Sequence, residues 1–255
     1  MPVSACASDA SDQKLAISLL GGFALRVDAK HVALPQHSRR VLAYLSLDKI
    51  AEPDCDRGVL AERLWPDSSV ERSRSSLRTA LWRIRQAGPA LVQGEGGRLR
   101  LADRVAVDVH EFRRNAEQML TEQRDCPRER ARLLARTNDL LPGWDETWLL
   151  LAREQLRQLR LHALEVDARR LSRQGRYLEA IDVMLAVVAE EPLRESAQTA
   201  LIEAHLCESN VVEARRQLGI FAELLWSQLG IWPSPELFGR VGMVATPPAR
   251  PPISR

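Results

Sequence analysis

Lysine is almost missing from this chain: of its 36 basic residues, only Lys14, Lys30 and Lys49 are not arginine. Aromatic residues are few, at 5% of 255 positions. The four cysteines, Cys6, Cys55, Cys126 and Cys207, are scattered and form no Cys-x-x-Cys pair. That argues against a zinc site and against a disulfide scaffold, and it suits a reducing cytoplasm. The five histidines, His31, His37, His110, His162 and His205, show no ligand spacing, so no metal site is expected. No apolar run approaches the ~18–20 residues of a membrane span. The first 13 residues carry no apolar signal core and read as a short disordered lead. A cytoplasmic protein without membrane contact is the expectation. There is no Gly-x4-Gly-Lys-Ser/Thr phosphate loop, no His-Glu-x2-His helix and no Gly-x-Ser-x-Gly elbow. Gly94 to Gly97 is glycine-rich, but it falls in a hairpin turn rather than before a helix. No catalytic residue and no cofactor are therefore expected, and the chain does not read as an enzyme.

What is present is ordinary globular material, 45% hydrophobic and 27% charged, enough for one or two domains. The net charge of +2 conceals an asymmetry. Residues 36–100 hold twelve Arg and Lys against eight Asp and Glu, whereas residues 108–240 hold eighteen against twenty-two. A basic half and an acidic half imply two domains with different partners.

The stretch from Glu71 to Gln86 carries five arginines and one glutamate on a helical apolar period. Leu77, Leu81 and Ile84 share one face, and Ser75, Thr79, Trp82 and Gln86 share the opposite one, flanked by Arg72 and Arg78. An anchored helix that shows arginines and short polar groups has the form needed to enter a DNA groove. A solvated charged face is the competing reading.

Its surroundings favour the first. Leu15, Ile17 and Leu19 alternate, as do Phe23, Leu25 and Val27, so residues 14–34 read as strands with a turn over Asp28 to His31. Ser38 to Leu47 reads as a helix with Val41, Leu42, Tyr44 and Leu45 inward. Asp56 is placed to cap a second helix that carries Val59, Leu60 and Leu64 and ends at Trp65 and Pro66. After the arginine helix, Leu91 to Leu101 reads as a hairpin turning on glycines, with Leu99 and Leu101 on one side and Arg98 and Arg100 on the other. Strands, three helices and a hairpin make an α+β winged helix with an N-terminal sheet, expected over residues 14–106.

From residue 107 the pattern is helical. Asp108 is read as an N-cap for a helix carrying Phe112 and Met119. Another helix is read over 128–141, and a long one after Trp144 and Trp148 to about Gln174. The segment Gly175-Arg-Tyr-Leu-Glu-Ala180 returns as Ser209-Asn-Val-Val-Glu-Ala214, an offset of 34 residues. Each copy precedes an apolar helix and a proline-bearing turn, Glu191-Pro192 and Trp232-Pro233. That period is the one of tetratricopeptide-like helix pairs, which bury their apolar faces by stacking. An all-α repeat domain is expected over 107–240. A disordered, proline-rich tail is expected over 241–255.

Eight motifs in order then resemble one family. They are Leu19-Leu-Gly-Gly-Phe-Ala-Leu-Arg-Val-Asp28, Arg40-Val-Leu-Ala-Tyr-Leu45, Leu64-Trp-Pro-Asp67, Ser76-Leu-Arg-Thr-Ala-Leu-Trp-Arg-Ile-Arg85, Val107-Asp-Val-His-Glu-Phe112, Gly175-Arg-Tyr-Leu-Glu-Ala180, Glu191-Pro-Leu-Arg-Glu195 and Leu229-Gly-Ile-Trp-Pro-Ser-Pro-Glu-Leu237. Together they resemble the SARP-type bacterial transcriptional activators, which join an OmpR-type winged helix to a bacterial transcriptional activator domain. The resemblance implies binding to double-stranded DNA at direct repeats near promoters as a pair of protomers, and recruitment of RNA polymerase. Larger relatives continue into an ATPase module and sensor repeats, so a short form is implied. Ser75 stands where an asparagine is common, Ala80 where a histidine is frequent, and Trp82 replaces a smaller residue.

On this reading Ser75, Arg78, Thr79, Trp82 and Arg83 face the major groove. Arg78 is the candidate for a bidentate guanine contact and Thr79 for a thymine methyl. Arg72, Arg74 and Arg85 are assigned to phosphates or local ion pairs, and Arg98 and Arg100 to phosphates or a minor groove beside the wing. The rival is a repeat-type adaptor that binds protein through a winged helix without DNA affinity.

Overall fold

The computed structural model describes residues 14–48, 55–88, 90–121, 134 and 139–245. The expected lead, most of the expected helix over 128–141 and the chain beyond 245 lie outside them. The chain divides into two compact units, residues 1–114 with 137–156, and residues 115–136 with 157–255.

In the first unit β1 (Leu15–Ser18), β2 (Ala24–Val27) and β3 (Lys30–Val32) form an antiparallel meander. Leu15, Ile17 and Leu25 point into the core, as the alternation predicts. The β2–β3 turn is shorter than expected. Only Asp28 and Ala29 lie between the strands, both at positive φ (50° and 65°), and Lys30 and His31 already pair. Asp28 fastens this turn by accepting a hydrogen bond from the Lys14 amide at 3.0 Å. A fourth strand not read from the sequence, β7 (Val105–Val107), pairs in parallel with β1, giving the order β3-β2-β1-β7.

Three helices follow the meander: α1 (Gln36–Asp48), α2 (Arg57–Leu64) and α3 (Val70–Ala87). Asp56 caps α2 by accepting from the Gly58 and Val59 amides at 2.7 and 3.2 Å. α2 buries Leu60, Ala61 and Leu64, while Val59 is 44% exposed. The hairpin forms from β5 (Val92–Glu95) and β6 (Arg98–Leu101). Gly96 and Gly97, at φ 57° and 85°, supply the two left-handed residues that a tight hairpin turn requires. A two-residue strand, β4 (Cys55–Asp56), pairs with β6 and ties the start of α2 to this wing.

Asp108 opens α4 (Asp108–Thr121), but its carboxylate does not serve mainly as a helix cap. It accepts the Leu19 and Leu20 amides at 2.9 and 3.1 Å as well as the Val109 amide at 2.8 Å, joining the end of β1 to the helix start. Burial pushes this carboxyl above its ordinary range, opposed by those three amides.

Residues 139–156 also pack in the first unit. Leu20 and Leu140 form a β-bridge, Phe23 stacks on Trp144, and Arg40 pairs with Glu146 at 2.7 Å. Trp148 meets Tyr44 edge-on, with ring centroids 5.3 Å apart.

The second unit holds most of α5 (Thr147–Arg173), then α6 (Tyr177–Glu190), α7 (Glu195–Cys207), α8 (Val211–Leu229) and α9 (Pro235–Arg240). The 34-residue offset is exact in the backbone. Gly175 and Ser209 both take left-handed φ, 74° and 66°, and Arg176 and Asn210 follow at φ −90° and −92°. The left-handed turn residue of the second copy is thus the serine, while Asn210 caps α8 through the Glu213 amide at 3.3 Å. Ala180, Met184 and Val187 in the first copy and Ala214, Leu218 and Phe221 in the second are buried at matching positions. Val241 lies in the second copy's core and Ala245 packs against it, so the packed chain runs past residue 240.

Candidate nucleic-acid interface

The candidate interface is built on α3. Ser69 caps its first turn, accepting the Arg72 amide at 3.4 Å. Ser73, Leu77, Ala80, Leu81 and Ile84 form the buried stripe, at the i, i+4, i+7 spacing of one helical face. The Ser38 hydroxyl donates to the Ala80 carbonyl at 3.2 Å and so pins α3 to α1. Ala80 is therefore a packing residue and does not lie on the outer face.

Every α3 residue assigned to DNA from the sequence is exposed: Arg72, Arg74, Ser75, Arg78, Thr79, Trp82, Arg83 and Arg85. Among the described residues, Arg72, Arg74, Arg78 and Arg85 have no carboxylate partner. The Thr79 hydroxyl donates back to the Ser75 carbonyl at 3.1 Å, which occupies its proton. Trp82 is 53% exposed, and the Arg83 guanidinium lies over its ring, 4.9 Å from the centroid. A cation so placed is attracted by the ring's negative face.

The wing supplies two more cations. Leu99 and Leu101 are buried while Arg98 and Arg100 are exposed on the other side. The two arginines are not equivalent, since Arg100 approaches Asp103 at 3.4 Å and Arg98 has no ion pair among the described residues.

Between α3, the start of α2 and the wing turn lies a groove of about 700 Å³. Arg57, Arg74 and Arg78 line it, together with two carboxylates, Glu71 and the α2 cap Asp56. Arg57 is the residue that sequence reasoning missed. Its amide donates to the Gly97 carbonyl at 3.1 Å, and its guanidinium lies 3.1 Å from the place a Cβ on Gly94 would occupy. Nothing local in the sequence marks Arg57; its position follows from the pairing of β4 with β6. Among the described residues no group of histidine, cysteine and carboxylate side chains is arranged to hold a metal. No helix described is long and apolar enough to cross a membrane.

Residues 107–241 match the family model of the bacterial transcriptional activator domain. The match covers more than half of the 255 residues, and the chain belongs to that family. This is the SARP-type class of bacterial transcriptional activator that the sequence motifs resemble, a class of transcription regulators rather than enzymes. The fold is similar to the solved structure of Mycobacterium tuberculosis EmbR in complex with a low-affinity phosphopeptide, with a TM-score of 0.75 at 20% identity. That likeness covers 90% of this chain and 65% of the EmbR chain, and it concerns the fold. No curated protein matches the chain.

Proposed function

We propose that this protein is a cytoplasmic, sequence-specific DNA-binding activator that binds direct repeats as a pair of protomers and contacts RNA polymerase. The observation that carries the DNA reading is the outer face of α3: a helix anchored by five buried residues shows arginines that form no ion pair among the described residues. A DNA phosphate backbone supplies anions that such a cationic face can neutralise.

In this reading α3 enters the major groove. Arg78 makes the bidentate guanine contact, and Ser75, Thr79, Trp82 and Arg83 face the neighbouring base edges and sugars. Since the Thr79 proton is taken by Ser75, its outward groups are the methyl and the hydroxyl lone pairs, which suit a thymine methyl or a base amino donor. Arg72, Arg74 and Arg85 hold phosphates, joined by Arg57 across the groove. Arg98 and Arg100 do so from the wing. The division of labour assigns DNA to residues 14–106 and the polymerase to the helical repeats within 107–240.

Selection of random duplex DNA by the purified protein at physiological salt, followed by sequencing, tests the proposal. A direct-repeat motif is the expected result, and its spacing gives the distance between half-sites. Recovery of no motif, with only weak salt-sensitive retention, removes the DNA reading and brings forward a protein-binding adaptor.

A further inference from the structure

A second basic site lies in the helical unit, away from α3 and the wing in sequence. A groove of about 430 Å³ opens beside the last turn of α5, the second half of α7 and the end of α9. Arg169, Arg173 and Arg240 line it, together with one carboxylate, Glu203, and an apolar floor that includes Ala200 and Leu206. Glu203 is shared: Arg240 pairs with one of its oxygens, and the Arg169 Nε lies 3.7 Å from the other. Arg173 uses only its Nε, which donates to the Arg169 carbonyl at 3.3 Å; its terminal nitrogens have no acceptor among the described residues.

This differs from Arg157, Arg160, Arg170, Arg176 and Arg194 of the same unit, each of which has a carboxylate of its own. Three guanidiniums around one carboxylate leave a surplus of two positive charges over an apolar floor. A guanidinium fork matches a carboxylate or phosphate in two parallel hydrogen bonds. Small-molecule sites typically measure about 300–1,000 Å³ and combine an apolar lining with a few convergent polar groups. We propose that this groove binds a small organic anion, a carboxylate or phosphate head carried on an apolar body. The head engages the free edge of Arg173 with Arg169 and Arg240, and the body covers Ala200 and Leu206.

Cys207 lines the same groove and is exposed, so its alkylation reports occupancy. The full chain is labelled with iodoacetamide, and the Cys207 peptide is followed by mass spectrometry against rising octanoate, octyl phosphate, octanol, inorganic phosphate or duplex DNA. At least one of octanoate and octyl phosphate is expected to slow labelling saturably, about tenfold when it stands at ten times its Kd. Comparing the two distinguishes a carboxylate from a phosphate ligand. Octanol is expected to have no effect, and inorganic phosphate to need far higher concentrations. Arg173→Glu and the milder Arg173→Gln, both on an exposed side chain, should remove the protection, read for each variant as the ratio of its labelling rates with and without the anion. Absence of saturable protection by both anions, equal protection by octanol, protection by duplex DNA alone, or protection that survives Arg173→Glu overturns the proposal.

Discussion

The arginines of α3 and those of the helical repeats are held in opposite ways. On α3, Arg72, Arg74, Arg78 and Arg85 stand exposed without an ion pair among the described residues. In the repeats, Arg194 meets Glu165 at 2.6 Å, Arg176 grips both oxygens of Glu179, and Arg157 and Arg160 pair with Glu191 and Glu190. Net charge alone describes the first region as basic and the second as acidic. The geometry says more: in the repeats these guanidiniums satisfy carboxylates of the same chain, and on α3 they form no ion pair among the described residues. The rule fails at Arg173, which has no ion pair among the described residues, and at Arg215, which donates to the Val241 carbonyl instead.

The largest effect that tests the comparison is on stability. Glu165 is 4% exposed and also accepts the Ser196 hydroxyl at 2.8 Å. Glu165→Ala leaves Arg194 without its carboxylate, and breaking a buried pair in this way costs about 3–5 kcal/mol. Urea unfolding followed by far-UV circular dichroism should show a marked fall in the midpoint of the helical unit. Substitutions on the α3 face should move stability by no more than about 0.5 kcal/mol, as for surface positions in general. If Arg78→Ala destabilises the chain as much as Glu165→Ala does, the α3 arginines are structural and the contrast is lost.

Next in size is the effect of Arg78→Ala on DNA. Loss of a bidentate base contact should cost about 1–3 kcal/mol on the selected site and relax preference at one base pair. Quantitative binding to the selected duplex and to single-base variants separates the two readings. A loss that is uniform across sequences makes Arg78 a phosphate contact; no loss on any duplex removes Arg78 from the interface.

Arg74→Ala and Arg57→Ala should act on all sequences alike. Each phosphate contact removed lowers the slope of log affinity against log salt by about 0.9. An unchanged slope for Arg57→Ala would confine the interface to α3 and the wing.

These tests also separate what local sequence encodes from what it does not. The outer face of α3 was legible because a helix places residues by a fixed rotation, so the buried Leu77, Leu81 and Ile84 determine where Arg78 and Trp82 point. The repeat was legible for a similar reason, since a 34-residue offset needs no tertiary contact to be seen. β7 was not, because Val105 to Val107 is three residues long and finds its partner strand 90 positions earlier. Nor was the return of residues 139–156 to the first unit, where Trp144, Glu146 and Trp148 pack on Phe23, Arg40 and Tyr44. A truncation at residue 107 would strip those contacts away, so full-length variants are the sounder way to divide the functions. Ser209 shows a subtler limit. A serine has no preference for left-handed φ, and only the repeat context places it there.

The smallest effect comes from the wing, where the same contrast appears within one strand. Arg98 and Arg100 share the exposed side of β6, yet among the described residues only Arg100 of the two has an ion pair, with Asp103. An exposed pair of this kind contributes about 0–1 kcal/mol to stability, so its loss should be barely visible in unfolding. Its influence on a phosphate is a matter of competition: Asp103 already occupies part of the Arg100 field that DNA would need. Arg98→Ala should therefore lower the salt slope by nearly a full phosphate contact, about 0.9, and Arg100→Ala by less. Asp103→Asn should release Arg100 and tighten binding modestly, most visibly at low salt, where screening is weakest. Equal slopes for Arg98→Ala and Arg100→Ala, with no gain from Asp103→Asn, would mean that an internal carboxylate does not decide which arginines meet the partner.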